Sequence, residues 1–195
     1  LKATGMSKNT SPVPFTAPKS IFNVTITGAR RFAVKSLSLS ELKNIGKQAN
    51  ATVNDMVLAL CSGALRKYMQ EKDALPKKSL IASVPVSVRQ MNRTGNQITY
   101  VTANLATDES DTMLRLAKIG ASTRDAKEEL GSVSANAATS FAVIAQGLVA
   151  VMNQLNMTNL LPPAANVTIS NVPGPRQPLY FGQAKLQATY PLSVL

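Results

Sequence analysis

The sequence predicts a layered α/β fold, a mixed sheet packed with helices. Three observations carry that expectation. Strand-like and helix-like segments alternate along the 195 residues without a simple repeat. Residues 53–69 bear an apolar stripe too wide for an ordinary surface helix. Ser79–Val88 is a short apolar run with several β-branched residues, of the kind that fills a covered sheet. A chain of this length can bury one sizeable core, with room for two lobes.

The elements follow in order. Residues 1–20 are rich in Gly, Ser, Asn, Thr and Pro and read as linker or a poorly ordered terminus. Ile21–Thr27 alternates as a strand would, Gly28-Ala29-Arg30 makes a turn, and Arg31–Leu39 reads as a second strand. Ser38-Leu39-Ser40-Glu41 has capping-box spacing and predicts a helix to about Asn50. Thr52-Val53-Asn54-Asp55 opens the strongest helix. Val53, Met56, Val57, Leu60 and Ala64 form its main stripe, and Leu58, Cys61, Leu65 and Met69 widen it until charge returns at Arg66–Lys72. Ser79–Val88 and Gln97–Leu105 are expected strands around a polar loop. A helix follows over Asp111–Leu130, with acid at its start and with Met113, Leu116, Ala117 and Gly120 facing inward. A third long helix is expected over Asn136–Leu155 and strands over Ala165–Ser170 and Gln183–Tyr190, with Val172–Pro178 a loop.

Charge is unevenly placed. The net charge is +11. Residues 1–95 hold 15 Lys/Arg and 4 Asp/Glu, whereas residues 96–195 hold 6 of each. The basic half suits a phosphate-bearing ligand or an anionic membrane surface, or it is a solvated basic face. From Gly131 through Pro175 there are 45 residues with no charge. The apolar stretch inside this run, Phe141–Met152, is 12 residues long and holds Gln146. A bilayer span needs about 20, so a buried helix or the wall of an apolar tunnel fits better.

Several chemistries are excluded. With no histidine, the chain carries no Ser-His-Asp or Cys-His dyad and no histidine metal site. A single cysteine, Cys61, makes neither a disulfide framework nor a zinc cluster and suits a reducing compartment. No signal peptide is evident in Leu1–Pro14. Nine Phe and Tyr residues, none interleaved with basic residues as a motif, and no Trp argue against a nucleic-acid surface. The sequence does not begin with Met and stops inside the apolar run Tyr190–Leu195, so it reads as part of a longer polypeptide.

Three polar features stand out. Asn54-Asp55 opens a nearly apolar helix, either as plain capping or as an amide and carboxylate held at a cavity. Ser87 and Arg89 end the strand Val84-Pro85-Val86-Ser87-Val88-Arg89, where α/β sites often lie, or simply emerge into solvent. Asn171-Val172-Pro173-Gly174-Pro175 is a rigid turn that either shapes a site or is structural.

Three segments together resemble one family. Thr52-Val53-Asn54-Asp55-Met56-Val57-Leu58-Ala59, continuing to Gly63-Ala64-Leu65-Arg66, is similar to the T-x-N-D-x-V-L-A…G-A-L-R segment of the bacterial wax ester synthase/diacylglycerol acyltransferase family. Pro85-Val86-Ser87-Val88-Arg89 resembles its P-x-S-x-R strand. Asn166–Pro175, with Pro178-Leu179-Tyr180 and Tyr190-Pro191, resembles its N-V-T-I-S-N-V-P-G-P…L-Y…Y-P block.

The resemblance implies a chloramphenicol acetyltransferase-like lobe, with residues 21–195 the C-terminal part of a two-lobed enzyme whose lobes flank a tunnel. It implies transfer of a fatty acyl group from acyl-CoA, a substrate, to a long-chain alcohol or diacylglycerol, with no cofactor and no metal. The family's H-H-x-x-x-D-G motif, whose second histidine is the general base, has no counterpart in this sequence. It is expected in the missing N-terminal lobe. No catalytic residue is therefore expected here. Asn54 is the candidate for polar support near the reacting centre, while Asp55 and Arg89 hold the site or lobes in shape. Asn171, Val172, Pro173 and Gly174 shape the tunnel, and Phe141, Ile144, Ala145 and Leu148 face the acyl or alcohol tail. The implied place is cytoplasmic, peripheral on the inner membrane or lipid droplets, with no nucleic-acid partner. Two other readings stand beside this one: an acyltransferase of the same fold such as a condensation domain, and a non-catalytic lipid-surface binding module.

Overall fold

A computed structural model describes residues 12, 15–24, 27–87, 98–132, 147, 162–175 and 177–190. The first helix, α1 (Leu39–Gln48), starts where Ser38 Oγ accepts the Glu41 amide. It ends in a tight turn with Asn50 in the left-handed region at φ 51°, which asparagine tolerates better than most side chains. Gly46 is needed at this turn, because a Cβ there would lie 2.9 Å from the Ala51 carbonyl oxygen. Helix α2 (Val53–Glu71) follows at once.

Strands β1 (Ile81–Ser87) and β2 (Ile98–Asn104) are antiparallel, with Ala82 opposite Ala103 and Val84 opposite Val101. Helix α3 (Thr112–Ser132) packs on β2 and α2. Strand β3 (Val167–Thr168) then pairs parallel with β1 at Ala82 and Ser83, giving the order β2-β1-β3 and a mixed sheet. Because β3 is so short, β1 has no described neighbour on that side at Pro85, which suits a residue without an N–H. Strands β4 (Tyr180–Phe181) and β5 (Ala184–Lys185) form a small exposed hairpin.

One apolar cluster holds these layers together. Leu58 and Met69 of α2 and Ile119 of α3 meet Leu80, Ala82, Val84, Ala103, Leu105 and Ala106. Full burial of each Leu, Ile or Met contributes about 1.5–3 kcal/mol. Buried hydroxyls tie helix to sheet within the same layer. Ser62 Oγ donates to the Leu105 carbonyl at 2.5 Å, and Ser122 Oγ accepts the Asn104 amide at 2.9 Å.

The expected α/β class, mixed sheet and first three helices stand; several details differ. Residues 27–38 form no strand and are exposed, and 21–24 form a turn, because no described strand pairs with either stretch. Regular strand is confined to Val167–Thr168 within the Ala165–Ser170 segment and to Ala184–Lys185 within the last expected strand. The expected linker is docked where described: Ala17 is buried, Thr102 Oγ1 donates to the Pro12 carbonyl, and Asn166 Nδ2 donates to the Pro18 carbonyl. On α2 the buried side is Asp55, Met56, Leu58, Ser62 and Met69, while Leu60 and Ala64 are exposed. On α3, Leu116 and Gly120 are buried as expected, but Met113 and Ala117 are exposed, and Arg115, Ile119, Ser122, Thr123 and Ala126 complete the inner face. The helix expected over Asn136–Leu155 lies almost wholly outside the described residues.

Candidate functional site

The start of α2 gathers polar groups of α2 and α3 into one hydrogen-bonded cluster. Thr52 caps the helix, and its side chain and Asp55 form a reciprocal capping box. Asp55 Oδ2 accepts from the Thr52 backbone N–H at 2.9 Å and from Thr52 Oγ1 at 2.7 Å. Its Oδ1 accepts from Thr123 Oγ1 of α3 at 2.7 Å. The carboxylate is buried, 3% exposed. Burial by itself pushes its pKa up, but the Thr52 and Thr123 hydroxyls, the Thr52 amide and the charge of Lys127 outweigh that and hold the carboxyl below the usual aspartate range. A carboxylate so stabilised in its ionised form is a poor general base, so Asp55 is a tie between two helices.

Asn54, its neighbour, is only half-buried, and its side-chain amide makes no hydrogen bond among the described residues. The helix itself leaves the backbone N–H groups of Val53 and Asn54 without intrahelical acceptors, since the next two amides bond back to Thr52. Three donors thus stand at the positive end of a well-anchored helix. Beside them a recess of about 260 Å³ opens between the α1–α2 turn and α3, lined by Asn50, Ala51, Leu116, Gly120 and Arg124 among others. Asn54 does not line this recess.

The run Asn166–Pro175 divides in two. Asn166 is buried and joins three segments. Its Oδ1 accepts the Ile81 amide at 2.9 Å, and its backbone N–H donates to the Ile81 carbonyl at 2.8 Å. Its Nδ2 donates to the Pro18 carbonyl and to Asn23 Oδ1, each at 2.7 Å. Five residues on, Asn171, Val172, Pro173 and Gly174 are all exposed and without regular structure. Val172 is 77% exposed.

The structure therefore brings Asn54 and Asp55 together on one helical turn, and places the Asn171–Gly174 turn on the surface. Arg89, Phe141, Ile144, Ala145 and Leu148 lie outside the described residues. Cys61 is half-buried and burial pushes its thiol pKa up, as expected of packing. Sequence reasoning missed Thr52, Thr123 and Asn166 as the residues that fix these features. The T-x-x-D spacing could have revealed Thr52. Thr123 lies 68 residues from Asp55 and leaves no local signal.

In this α/β layer an Asn-Asp pair opens α2, and a proline-flanked turn follows the short parallel strand β3. The family model "WS/DGAT C-terminal domain" matches residues 94–195. The model "Wax ester synthase/diacylglycerol acyltransferase catalytic domain" matches residues 1–57. The chain belongs to the wax ester synthase/diacylglycerol acyltransferase family. It is 42% identical over 185 residues to the O-acyltransferase WSD of Acinetobacter baylyi, covering 93% of this chain and 40% of that protein. It is 42% identical over 184 residues to the probable diacylglycerol O-acyltransferase tgs2 of Mycobacterium tuberculosis, covering 93% of this chain and 40% of that protein. The solved wax ester synthase/diacylglycerol acyltransferase of Marinobacter aquaeolei VT8 superposes with a TM-score of 0.72 at 35% identity, over 88% of this chain and 39% of that one. The fold is that of this chloramphenicol acetyltransferase-like family. The chain spans about two-fifths of the length of the curated relatives it matches.

Proposed function

We propose that this chain is the C-terminal part of an acyl-CoA-dependent O-acyltransferase. The intact enzyme moves a fatty acyl group from the CoA thioester to the hydroxyl of a long-chain alcohol, giving a wax ester, or of a diacylglycerol, giving a triacylglycerol. The observation that carries this reading is the 42% identity to an O-acyltransferase along 93% of the chain.

The chemistry needs a base to take the acceptor proton and donors to stabilise the tetrahedral oxyanion. The chain holds no histidine, and Asp55 is already stabilised as an anion by its partners. The base is thus assigned to polypeptide outside this chain, the N-terminal lobe. Asn54 is assigned to polar support of the oxyanion, because its amide is unengaged at the positive end of α2. Asp55, through Thr52 and Thr123, fixes the turn on which Asn54 sits. Arg89 is assigned to holding the site in shape. Asn171, Val172, Pro173 and Gly174 shape the tunnel, and Phe141, Ile144, Ala145 and Leu148 face the lipid tail. A charge in such a tunnel would be costly, which fits the uncharged run from Gly131 to Pro175. No cofactor and no metal is needed, since the thioester supplies the activated acyl group. With lipid substrates, the protein works at the periphery of the inner membrane or a lipid droplet.

The test is acyl transfer from palmitoyl-CoA to hexadecanol, read as released CoA thiol, by the full-length polypeptide of this gene and by this chain side by side. Activity in the full-length polypeptide only is the expected result. A folded full-length polypeptide inactive with alcohols and diacylglycerols would leave the lipid-surface module as the better reading, and activity with amines alone would favour a condensation-type enzyme.

A further inference from the structure

The segment 15–23, with Pro12, is tied down at three separate elements. Thr102 Oγ1 of β2 donates to the Pro12 carbonyl at 2.6 Å. The Phe22 ring stacks on Tyr68 of α2, with centroids 6.2 Å apart, and packs against the apolar cluster. Just ahead of β3, Asn166 Nδ2 donates to the Pro18 carbonyl and to Asn23 Oδ1, each at 2.7 Å. Asn23 Nδ2 answers by donating to the Ala165 carbonyl at 3.3 Å. Ser20 Oγ donates to Asn23 Oδ1 at 2.8 Å, which fixes the orientation of that amide. Ala17, between these points, is buried. The polar ties span 90 to 148 residues of sequence. They join the stretch that matches the catalytic-domain model, residues 1–57, to the stretch that matches the C-terminal-domain model, residues 94–195.

Ordering this segment costs backbone entropy that a free linker would keep. The contacts offset that cost, and they fix where the chain enters the sheet. Acyl transfer as read above needs groups from two bodies: a base outside this chain and the donors at the start of α2. Reacting groups displaced by about 1 Å lose roughly 100-fold in rate. We propose that the segment 15–23, with Pro12, is a strap that sets the upstream polypeptide against the layer formed by α2 and the sheet, and that Asn23 and Asn166 are positioning residues for acyl transfer. This rests on the acyl-transfer reading and deepens it. Neither asparagine touches substrate; both act through the strap. Asn166 thereby has a role in the Asn166–Pro175 run distinct from the tunnel shaping assigned to Asn171–Gly174.

The experiment uses the full-length polypeptide of this gene. It measures palmitoyl-CoA:hexadecanol transfer, urea stability and, by mass spectrometry, hydrogen exchange over residues 15–24. Two variants loosen the strap. Asn166→Asp keeps the acceptor for the Ile81 amide but sets an oxygen against the Pro18 carbonyl and Asn23 Oδ1. Asn23→Ala opens the same latch from the other side and leaves Asn166 in place, so the test survives if Asn166→Asp does not fold. Each should speed exchange over 15–24 roughly tenfold, as a local opening. Each should also lower kcat roughly tenfold or more with KM within about twofold. Ile119→Val trims the apolar cluster on α3 without touching the latch. It should lower urea stability yet keep the parent's exchange over 15–24 and a kcat within about twofold. A folded parent inactive in transfer would sink the acyl-transfer reading and this one with it. With an active parent, three results would overturn the strap alone: fast exchange at the parent's kcat, unchanged exchange in both latch variants, or an equal loss of kcat in Ile119→Val.

Discussion

Two residues at the start of α2 and two asparagines of the Asn166–Pro175 run contrast in the same way. Asp55 and Asn166 are buried, and each has at least one side-chain partner far away in sequence. Asn54, next to Asp55, is half-buried, and Asn171, five residues on from Asn166, is exposed. The comparison teaches that each motif carries both a scaffold residue and a neighbour that the scaffold holds out. Resemblance to a family marks both kinds alike, and only the hydrogen-bond partners separate them.

Substitutions should break this pairing unevenly. The largest stability effect is expected for Asn166→Ala, which strands the Ile81 amide and the Pro18 carbonyl and uncouples the 18–23 segment from the sheet. A loss of about 3 kcal/mol in urea unfolding is expected, several hydrogen bonds with burial. Asp55→Asn should cost about 2 kcal/mol, the scale of hydrogen bonds to a buried charge. It should also change the acid limb. Asp55 has a lower pKa folded than unfolded, so the unfolded chain takes up its proton first as pH falls. Its contribution is complete above about pH 3.9 and declines below that as the folded carboxyl protonates. Unfolding measured down through this range should be less pH-dependent in Asp55→Asn than in the parent. Gly46→Ala is expected to cost about 1–2 kcal/mol through its contact with the Ala51 carbonyl, visible as a lower melting temperature. Asn54→Ala and Asn171→Ala should each stay within about 0.5 kcal/mol.

Much of the frame was legible in the sequence because its signals are local. Ser38 stands at its cap, and the apolar, β-branched runs around Val84 and Val101 pair as expected. The strands expected over 21–27 and 31–39 were not realised in the described residues, because alternation states only that a segment can pair, and pairing also needs a neighbouring strand. Met113 and Ala117 were placed inward by periodicity alone, although the α1–α2 turn stops short of them and leaves a recess there. At the candidate site the Asn54-Asp55 pair was legible, but its division of labour was not. That division depends on Thr123, whose contact with Asp55 exists only once α3 lies on α2.

The most direct test of the division compares Asn54→Ala with Asp55→Asn in the full-length polypeptide, measuring both urea stability and palmitoyl-CoA:hexadecanol transfer. The expected result is that Asn54→Ala keeps its stability and loses about 100-fold in kcat, the scale of one oxyanion donor, while Asp55→Asn loses stability. An Asn54→Ala protein that turns over like the parent, or that is destabilised as much as Asp55→Asn, would contradict it.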